Sequence, residues 1–350
     1  MKIFAFFLPQ FHEIEENNLW WGKGFTEWTH VKAATPLFQG HCQPIHPLHG
    51  NYYNLLDEQT VDWQTRLLKE YKIDGLIYYH YYFKGDKLLE KPAENLLESN
   101  IDQSFFFCWA NHSWYKTCGG NKTLLKEQVY GEQSDWEKHF QYLLPFFKDL
   151  RYEKKDNKPL FMLFNNDFPE KNEIIHYFNR RSCESGFDGL YVIETCKTLE
   201  KSNVVNPADA VPFLREPDGA LSTYHASRPF YTKIIPWINY RIFNGKLVKR
   251  KRPFVYDGNK LLELSMNLEH KECAGLFFSW DNTPRHRENG FVIRPIDKEH
   301  FQNYMDKNKK VEYMFFNAWN EWAEGMVLEP TEENGYKYLE WIKEWKEKNN

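Results

Sequence analysis

Three features of this chain predict an α/β fold, a (β/α)8 TIM-type barrel with long loops at its carboxyl-terminal face. Short apolar runs recur eight times, amphipathic stretches lie between them, and polar or aromatic residues follow almost every run. Several runs are apolar on consecutive residues rather than alternating, as in parallel strands covered on both faces. Alternating strand and helix units imply a parallel sheet, and eight of them imply a closed barrel. The competing arrangement is a doubly wound open sheet. It would announce a glycine-rich phosphate loop after the first strand, where Pro9-Gln10-Phe11-His12 stands instead.

The first run is Ile3–Leu8. A long connection, about residues 13–54, is dense in Trp20, Trp21, Trp28, Tyr52 and Tyr53, so it is expected to be ordered. Glu58–Lys72 follows with Val61, Leu67, Leu68 and Tyr71 on one helical stripe, then the run Gly75–Tyr82. Phe105–Ala110 precedes the amphipathic Ser134–Phe147, and Pro159–Phe164 precedes Lys171–Ser185. Gly189–Ile193 and Ala208–Phe213 come next. The second long connection, about residues 214–256, carries Lys249-Arg250-Lys251-Arg252. That run reads as a solvated basic loop, or as a contact to an anionic lipid-linked or phosphorylated glycan with peripheral membrane contact. Lys260–His270, Gly275–Trp280, Tyr313–Trp319 and a last helix with Leu339, Ile342 and Trp345 complete the pattern. Residues 1–350 are therefore expected to form one catalytic barrel domain.

A net charge of −4 gives no support for a nucleic-acid-binding protein. Aromatic residues are 18% of the chain, including 13 Trp, more than ordinary packing requires and what sugar-ring stacking favours. Six cysteines without a CxxC pair are expected to be reduced thiols. The first apolar run is too short and lacks the flanks of a signal peptide, and the likeness of no segment to a membrane span leads to a cytoplasmic expectation. A P-loop, a GxSxG elbow and an Asp-x-Asp pair are all missing. His41, His46 and His49 cluster in a proline-rich loop that suits contacts better than a metal cage, so neither metal nor other cofactor is expected.

In a barrel, chemistry gathers at the carboxyl ends of the strands. Reading past each run gives Gln10 and His12, then His80, Tyr81 and Tyr82, then Trp109, Asn111 and Trp114. Asn165, Asn166 and Glu194 follow, and the seventh run gives Trp280, Asp281, Asn282 and Arg285. His80 taken alone reads as a hydrogen-bonded packing histidine. The eighth run is the most informative, because Asn317, Trp319, Asn320, Glu321 and Glu324 crowd an otherwise apolar segment. Two acids three apart share a face only if the chain turns helically, with β-carbons roughly 5–6 Å apart. Paired carboxylates beside aromatic platforms are equipment for glycosidic-bond chemistry. At least three of Trp20, Trp28, Trp109, Trp280 and Trp319 are expected to line one open cleft with Glu321 and Glu324.

Phe7-Leu8-Pro9-Gln10-Phe11-His12, Trp20 through Trp28, Gly40-His41-Cys42-Gln43-Pro44, Tyr78 through Phe83, Cys108-Trp109-Ala110-Asn111, Trp280-Asp281-Asn282-Thr283 and Asn317 through Gly325 together resemble one family. It is the WbsX family of polysaccharide-biosynthesis glycosyltransferases, which is similar to glycoside hydrolase family 99. The resemblance implies a (β/α)8 barrel and a retaining reaction, in which a sugar 2-hydroxyl participates through an anhydro-sugar intermediate. It makes Glu321 the base that takes the 2-hydroxyl proton and Glu324 the acid/base at the leaving oxygen, with a raised pKa at Glu324. It also makes Glu27 and the Trp20–Trp28 block sugar ligands, with a salt bridge within the loop as the other reading of Glu27. Family 99 has His where this chain has Ala323. The implied function is making or breaking α-glycosidic bonds in a bacterial surface polysaccharide, such as a lipopolysaccharide O-antigen or a capsule, on an oligosaccharide or lipid-linked glycan. The alternative is a non-catalytic glycan-binding barrel.

Overall fold

The structure is a computed structural model and describes residues 1–118, 121–196, 210–228 and 251–349. Eight parallel strands form its centre: β1 (Lys2–Phe7), β2 (Gly75–Phe83), β3 (Phe105–Trp109), β4 (Lys158–Leu163), β5 (Tyr191–Cys196), β6 (Ala210–Leu214), β7 (Cys273–Phe277) and β8 (Tyr313–Asn317). Their order in the sheet is β6-β5-β4-β3-β2-β1-β8-β7. The two ends of that order come together, so the barrel is nearly closed. A Cβ on Gly275 of β7 would lie 2.9 Å from the Leu214 carbonyl oxygen at the end of β6, and only glycine allows that approach. Helices Glu58–Glu70, Lys91–Glu98, Gln133–Lys148, Lys171–Glu184, Lys298–Lys307 and Lys337–Asn349 alternate with the strands. All eight apolar runs coincide with strands, to within a few residues at each end.

Strand alternation divides these residues between the barrel interior and the helical layer. Inside, the Phe4 and Phe106 rings meet at 5.2 Å and Phe213 and Phe315 at 5.0 Å. One level higher, Phe6 stacks on Tyr79 at 5.5 Å. Full burial of each ring contributes about 1.5–3 kcal/mol relative to exposure. This aromatic plug fills the barrel below Tyr79 and Tyr81, which line the cavity above it. On the outer face of β2, His80 and Tyr82 turn toward helix Gln133–Lys148, where Tyr82 stacks on His139 at 3.8 Å.

β7 and β8 stop well before the ends of their apolar runs. β7 ends at Phe277, and Trp280–Asp281 pairs antiparallel with Phe291–Ile293 in a small sheet whose third strand is Phe254–Tyr256. β8 ends at Asn317, whose side-chain amide donates to the Glu216 carbonyl. The first long connection is ordered, with helices Glu15–Trp21 and Glu27–Ala33. Much of the second lies outside the described residues, including Lys249 and Arg250, while Lys251 and Arg252 are exposed. A hairpin with no signal in the periodicity, Trp114–Cys118 with Asn121–Lys126, stands beside the barrel mouth. Five cysteines, at 42, 108, 183, 196 and 273, are free thiols. Among the described residues no helix is long and apolar enough to cross a membrane.

Candidate active site

A cavity of about 560 Å³ opens at the carboxyl ends of the strands, with Glu321 and Glu324 on its lining. After β8 the chain makes a short antiparallel pair, Asn320–Glu321 with Met326–Val327, around the single turn Trp322–Glu324. That turn brings two acids three apart to one cavity. Gly325 closes it at φ 60° with its α-carbon packed against Asp281, where an added Cβ would meet the Asp281 Cβ at 3.0 Å.

The two carboxyls have different surroundings. Glu324 is held by two donors: Arg285 Nη1 reaches Oε1 at 2.6 Å and Trp280 Nε1 reaches Oε2 at 2.9 Å. Arg285 also donates through Nη2 to buried Glu27 at 2.8 Å, so one guanidinium ties the first long loop to the Glu324 carboxylate. Glu321 is buried, and burial followed by the charge of Glu324 pushes its carboxyl up to about 8, against the opposing effect of Arg285 and Arg215. Burial and then the Glu321 charge likewise raise the Tyr79 and Tyr81 phenols well above their ordinary value. Glu321 is the more buried carboxyl of the two.

Of the sequence candidates, Gln10, Glu27, Tyr81, Trp114, Trp280, Arg285, Asn317, Glu321 and Glu324 line the cavity. Trp280 is the single member of the five-tryptophan set on that lining, which corrects the platform expectation. Trp28 is buried with Nε1 donating to the Tyr53 carbonyl, Trp109 is buried with Nε1 donating to the Tyr82 carbonyl, and Trp319 is wholly buried. Trp20 packs edge-on against Trp114 and presents its neighbour Trp21 to the cavity instead. The walls are built from Trp21, Phe25, Tyr79, Tyr81, Trp114 and Phe164.

The remaining candidates hold the frame. His80 Nε2 lies 2.8 Å from His139 Nε2 behind the barrel wall, and burial lowers both imidazoles. Tyr82 shares that layer through its stack on His139. His12 is buried, which pushes its imidazole down to about 4. Asn111 accepts from the Asn165 amide and donates to its carbonyl, tying the ends of β3 and β4. Asn320 does the same to Leu8 at the end of β1. Strand ends leave backbone groups without ladder partners, and a carboxamide satisfies one donor and one acceptor together. Asp281 accepts from Gln43 and Thr283 and pairs with His41 at 2.7 Å, pinning residues 37–43 beneath the mouth. Among the described residues no three His, Cys, Asp or Glu side chains are grouped to hold a metal ion.

Arg215 escaped the sequence reading because the segment after β6 carried no motif. It directly follows Leu214, stacks its guanidinium 4.2 Å from the Phe164 ring and bonds Asp218 at 2.8 Å, on the same cavity lining as Arg285. A charged residue immediately after a buried strand was the available signal.

Residues 3–342 match the family described as glycosyltransferase WbsX. The chain belongs to the WbsX glycosyltransferase family. A GH99 endo-alpha-mannosidase from Bacteroides thetaiotaomicron, in complex with BIS-TRIS-propane, has a similar fold, with a TM-score of 0.58 at 12% identity over 99% of this chain and 96% of that one. A solved glycoside hydrolase-like protein gives a TM-score of 0.57 at 11% identity, over 98% of this chain and 93% of its own. The uncharacterized protein WxcX of Xanthomonas campestris pv. campestris strain B100 is 27% identical over 96% of this chain, and that of strain ATCC 33913 is 26% identical. The WbsX chain spans about half of those relatives, 48% of their length. The family match and the likeness of fold both extend over nearly the whole chain.

Proposed function

We propose that this WbsX chain makes or breaks α-glycosidic bonds in a bacterial surface polysaccharide, O-antigen or capsule, by a retaining mechanism in which Glu321 and Glu324 are the acid–base pair. The carrying observation is the placement of both carboxyls on one aromatic-walled cavity, one buried and raised, the other gripped by Arg285 and Trp280. Burial makes the ionised Glu321 a stronger base than a free carboxylate, with a pKa near the working pH. It is suited to take the proton from a sugar 2-hydroxyl, whose oxygen then attacks the anomeric carbon. The bond to the leaving oxygen breaks as Glu324 protonates that oxygen. In the second step Glu324 takes a proton from water or a sugar hydroxyl, the new oxygen opens the anhydro ring at the anomeric carbon, and Glu321 returns its proton to the 2-oxygen. Two inversions give retention.

Glu324 must carry a proton when the first step begins, so sugar hydroxyls entering beside Arg285 have to take over part of its ion pair. Arg285 can yield that contact because Glu27 still holds its other nitrogen. The likeness to an endo-alpha-mannosidase fold supports chemistry at an acetal centre. A biosynthetic role would place the protein in the cytoplasm, beside lipid-linked glycan. The test is incubation with lipid-linked glycan, with and without nucleotide-sugar donors, followed by mass spectrometry. Products changed by whole sugar units are expected. Unchanged glycan under every donor condition, from protein of intact fold, would leave the binding-barrel alternative.

A further inference from the structure

Trp280 belongs to two places at once. Its indole N–H is bonded to Glu324 in the cavity, and its ring meets Phe291 at 4.6 Å on the small three-stranded sheet outside the barrel. From Phe291 the contacts continue to Tyr256 at 6.0 Å and from Tyr256 to Phe254 at 6.3 Å. Phe254 and Tyr256 stand two apart on one strand, so they share a face. Trp280, Phe291 and Tyr256 are half-buried, while Phe254 is 46% exposed. The sheet therefore carries a row of rings from the carboxyl pair out to the surface, without a break in contact.

We propose that this row is an extended binding surface for a glycan chain, continuing the cleft on the Glu324 side and holding sugars remote from the reacting bond. Sugar rings have apolar faces, and rings fixed in a row by mutual packing offer stacking area at little cost in side-chain order. A polysaccharide is the occupant because the row is continuous with the cavity through Trp280, and a polymer entering the cavity must leave along a surface. Only Phe254 and Val255 of this sheet are strongly exposed, which is little area for insertion into a bilayer. The proposal rests on the glycan reading of the cleft and adds a preference for length.

Surface polysaccharide of the producing strain, split into a long fraction and a fraction of di- and trisaccharides, is titrated calorimetrically into the full chain and into Phe254→Ala and Phe254→Ala/Tyr256→Ala. Wild type is expected to bind the long fraction about tenfold more tightly per chain, the contribution of a pair of stacking rings, and the double variant to lose that preference. Phe254→Trp should keep it, and circular dichroism melts check that each variant is folded. Equal affinity for both lengths in wild type, or a preference untouched in the folded double variant, overturns the extended surface while leaving the cleft reading in place. Binding of neither fraction overturns both. Binding to vesicles of phosphatidylglycerol that is abolished by Phe254→Ala, with glycan affinity untouched, would assign the row to a membrane and overturn the glycan surface.

Discussion

Glu321 and Glu329 stand on the same loop, both are buried, and burial raises both carboxyls, to about 8 and about 7 respectively. Their surroundings differ in kind. Glu329 accepts from Tyr53 at 2.7 Å, Trp322 Nε1 at 2.8 Å and Gln64 Nε2 at 2.6 Å, so each oxygen is occupied and the side chain is sealed behind the first long loop. Glu321 lies on the cavity lining, with Glu324, Arg285 and Arg215 as its charged neighbours. A raised carboxyl is thus common to a fastening and to a site. What separates them is access: the first has spent its lone pairs on the protein, and the second has kept them for a ligand. Removing the charge should therefore abolish function at one position, and removing the whole side chain should loosen the fold at the other.

The largest effect is expected at the cavity. Glu321→Gln and Glu324→Gln should each lower turnover by about a thousandfold while leaving the melting temperature within a few degrees of wild type or above it, since acid–base groups of this kind contribute roughly 10²–10⁴ in rate. Near-normal turnover in both variants would end the carboxyl-pair mechanism. At the fastening, Glu329→Ala leaves the Tyr53 hydroxyl, the Trp322 indole and the Gln64 amide without their acceptor. Urea denaturation should show a loss of about 3 kcal/mol, from several buried donors left unsatisfied at once. A loss below that of an ordinary surface substitution would mean that water replaces the carboxylate there.

Arg285→Lys probes the link between the first loop and Glu324. Lysine keeps the charge but cannot bond Glu27 and Glu324 through two nitrogens of one plane. Turnover is expected to fall about tenfold, a loss of one well-placed contact at the transition state. The pH profile carries the same information: kcat/KM should rise through about pH 8 in wild type, as Glu321 ionises to act as base. A profile that falls through that pH would give Glu321 the opposite role, that of proton donor.

How much of this was legible in the chain depends on the strand face concerned. The barrel was readable because runs such as Gly75–Tyr82 are buried on both sides and remain apolar throughout. That same continuity hides the phase. Nothing in Tyr79-His80-Tyr81-Tyr82 says which members point inward, and the inward pair proved to be Tyr79 and Tyr81. The Glu321–Glu324 pair was readable because both acids and their closing Gly325 are local in sequence. Arg215 and the exchange of Trp20 for Trp21 were not, because both depend on where a long loop returns to the barrel. Asn111, Asn320 and Asp281 were misjudged for a related reason: polar residues at strand ends serve the unpaired backbone as readily as a ligand.

The smallest expected effect separates the two carboxyls by sign. A carboxyl raised in the folded state keeps its proton after the unfolded chain, near pH 4.3, has lost its own. Folding stability then falls as pH rises from there to the folded value, about 8 for Glu321 and about 7 for Glu329. Glu321→Gln removes its share of that loss, so it should stabilise the protein at pH 8 and leave it nearly unchanged at pH 4, the usual exchange of stability for activity. Glu329→Gln removes the same titration but places an amide NH2 against a site built from three donors, so any gain is cancelled by a mismatched hydrogen bond. Urea midpoints at the two pH values decide the matter. If Glu329→Gln gains as much at pH 8 as Glu321→Gln does, occupied lone pairs do not distinguish the two sites, and the difference between fastening and cavity would have to lie in the arginines beside Glu321.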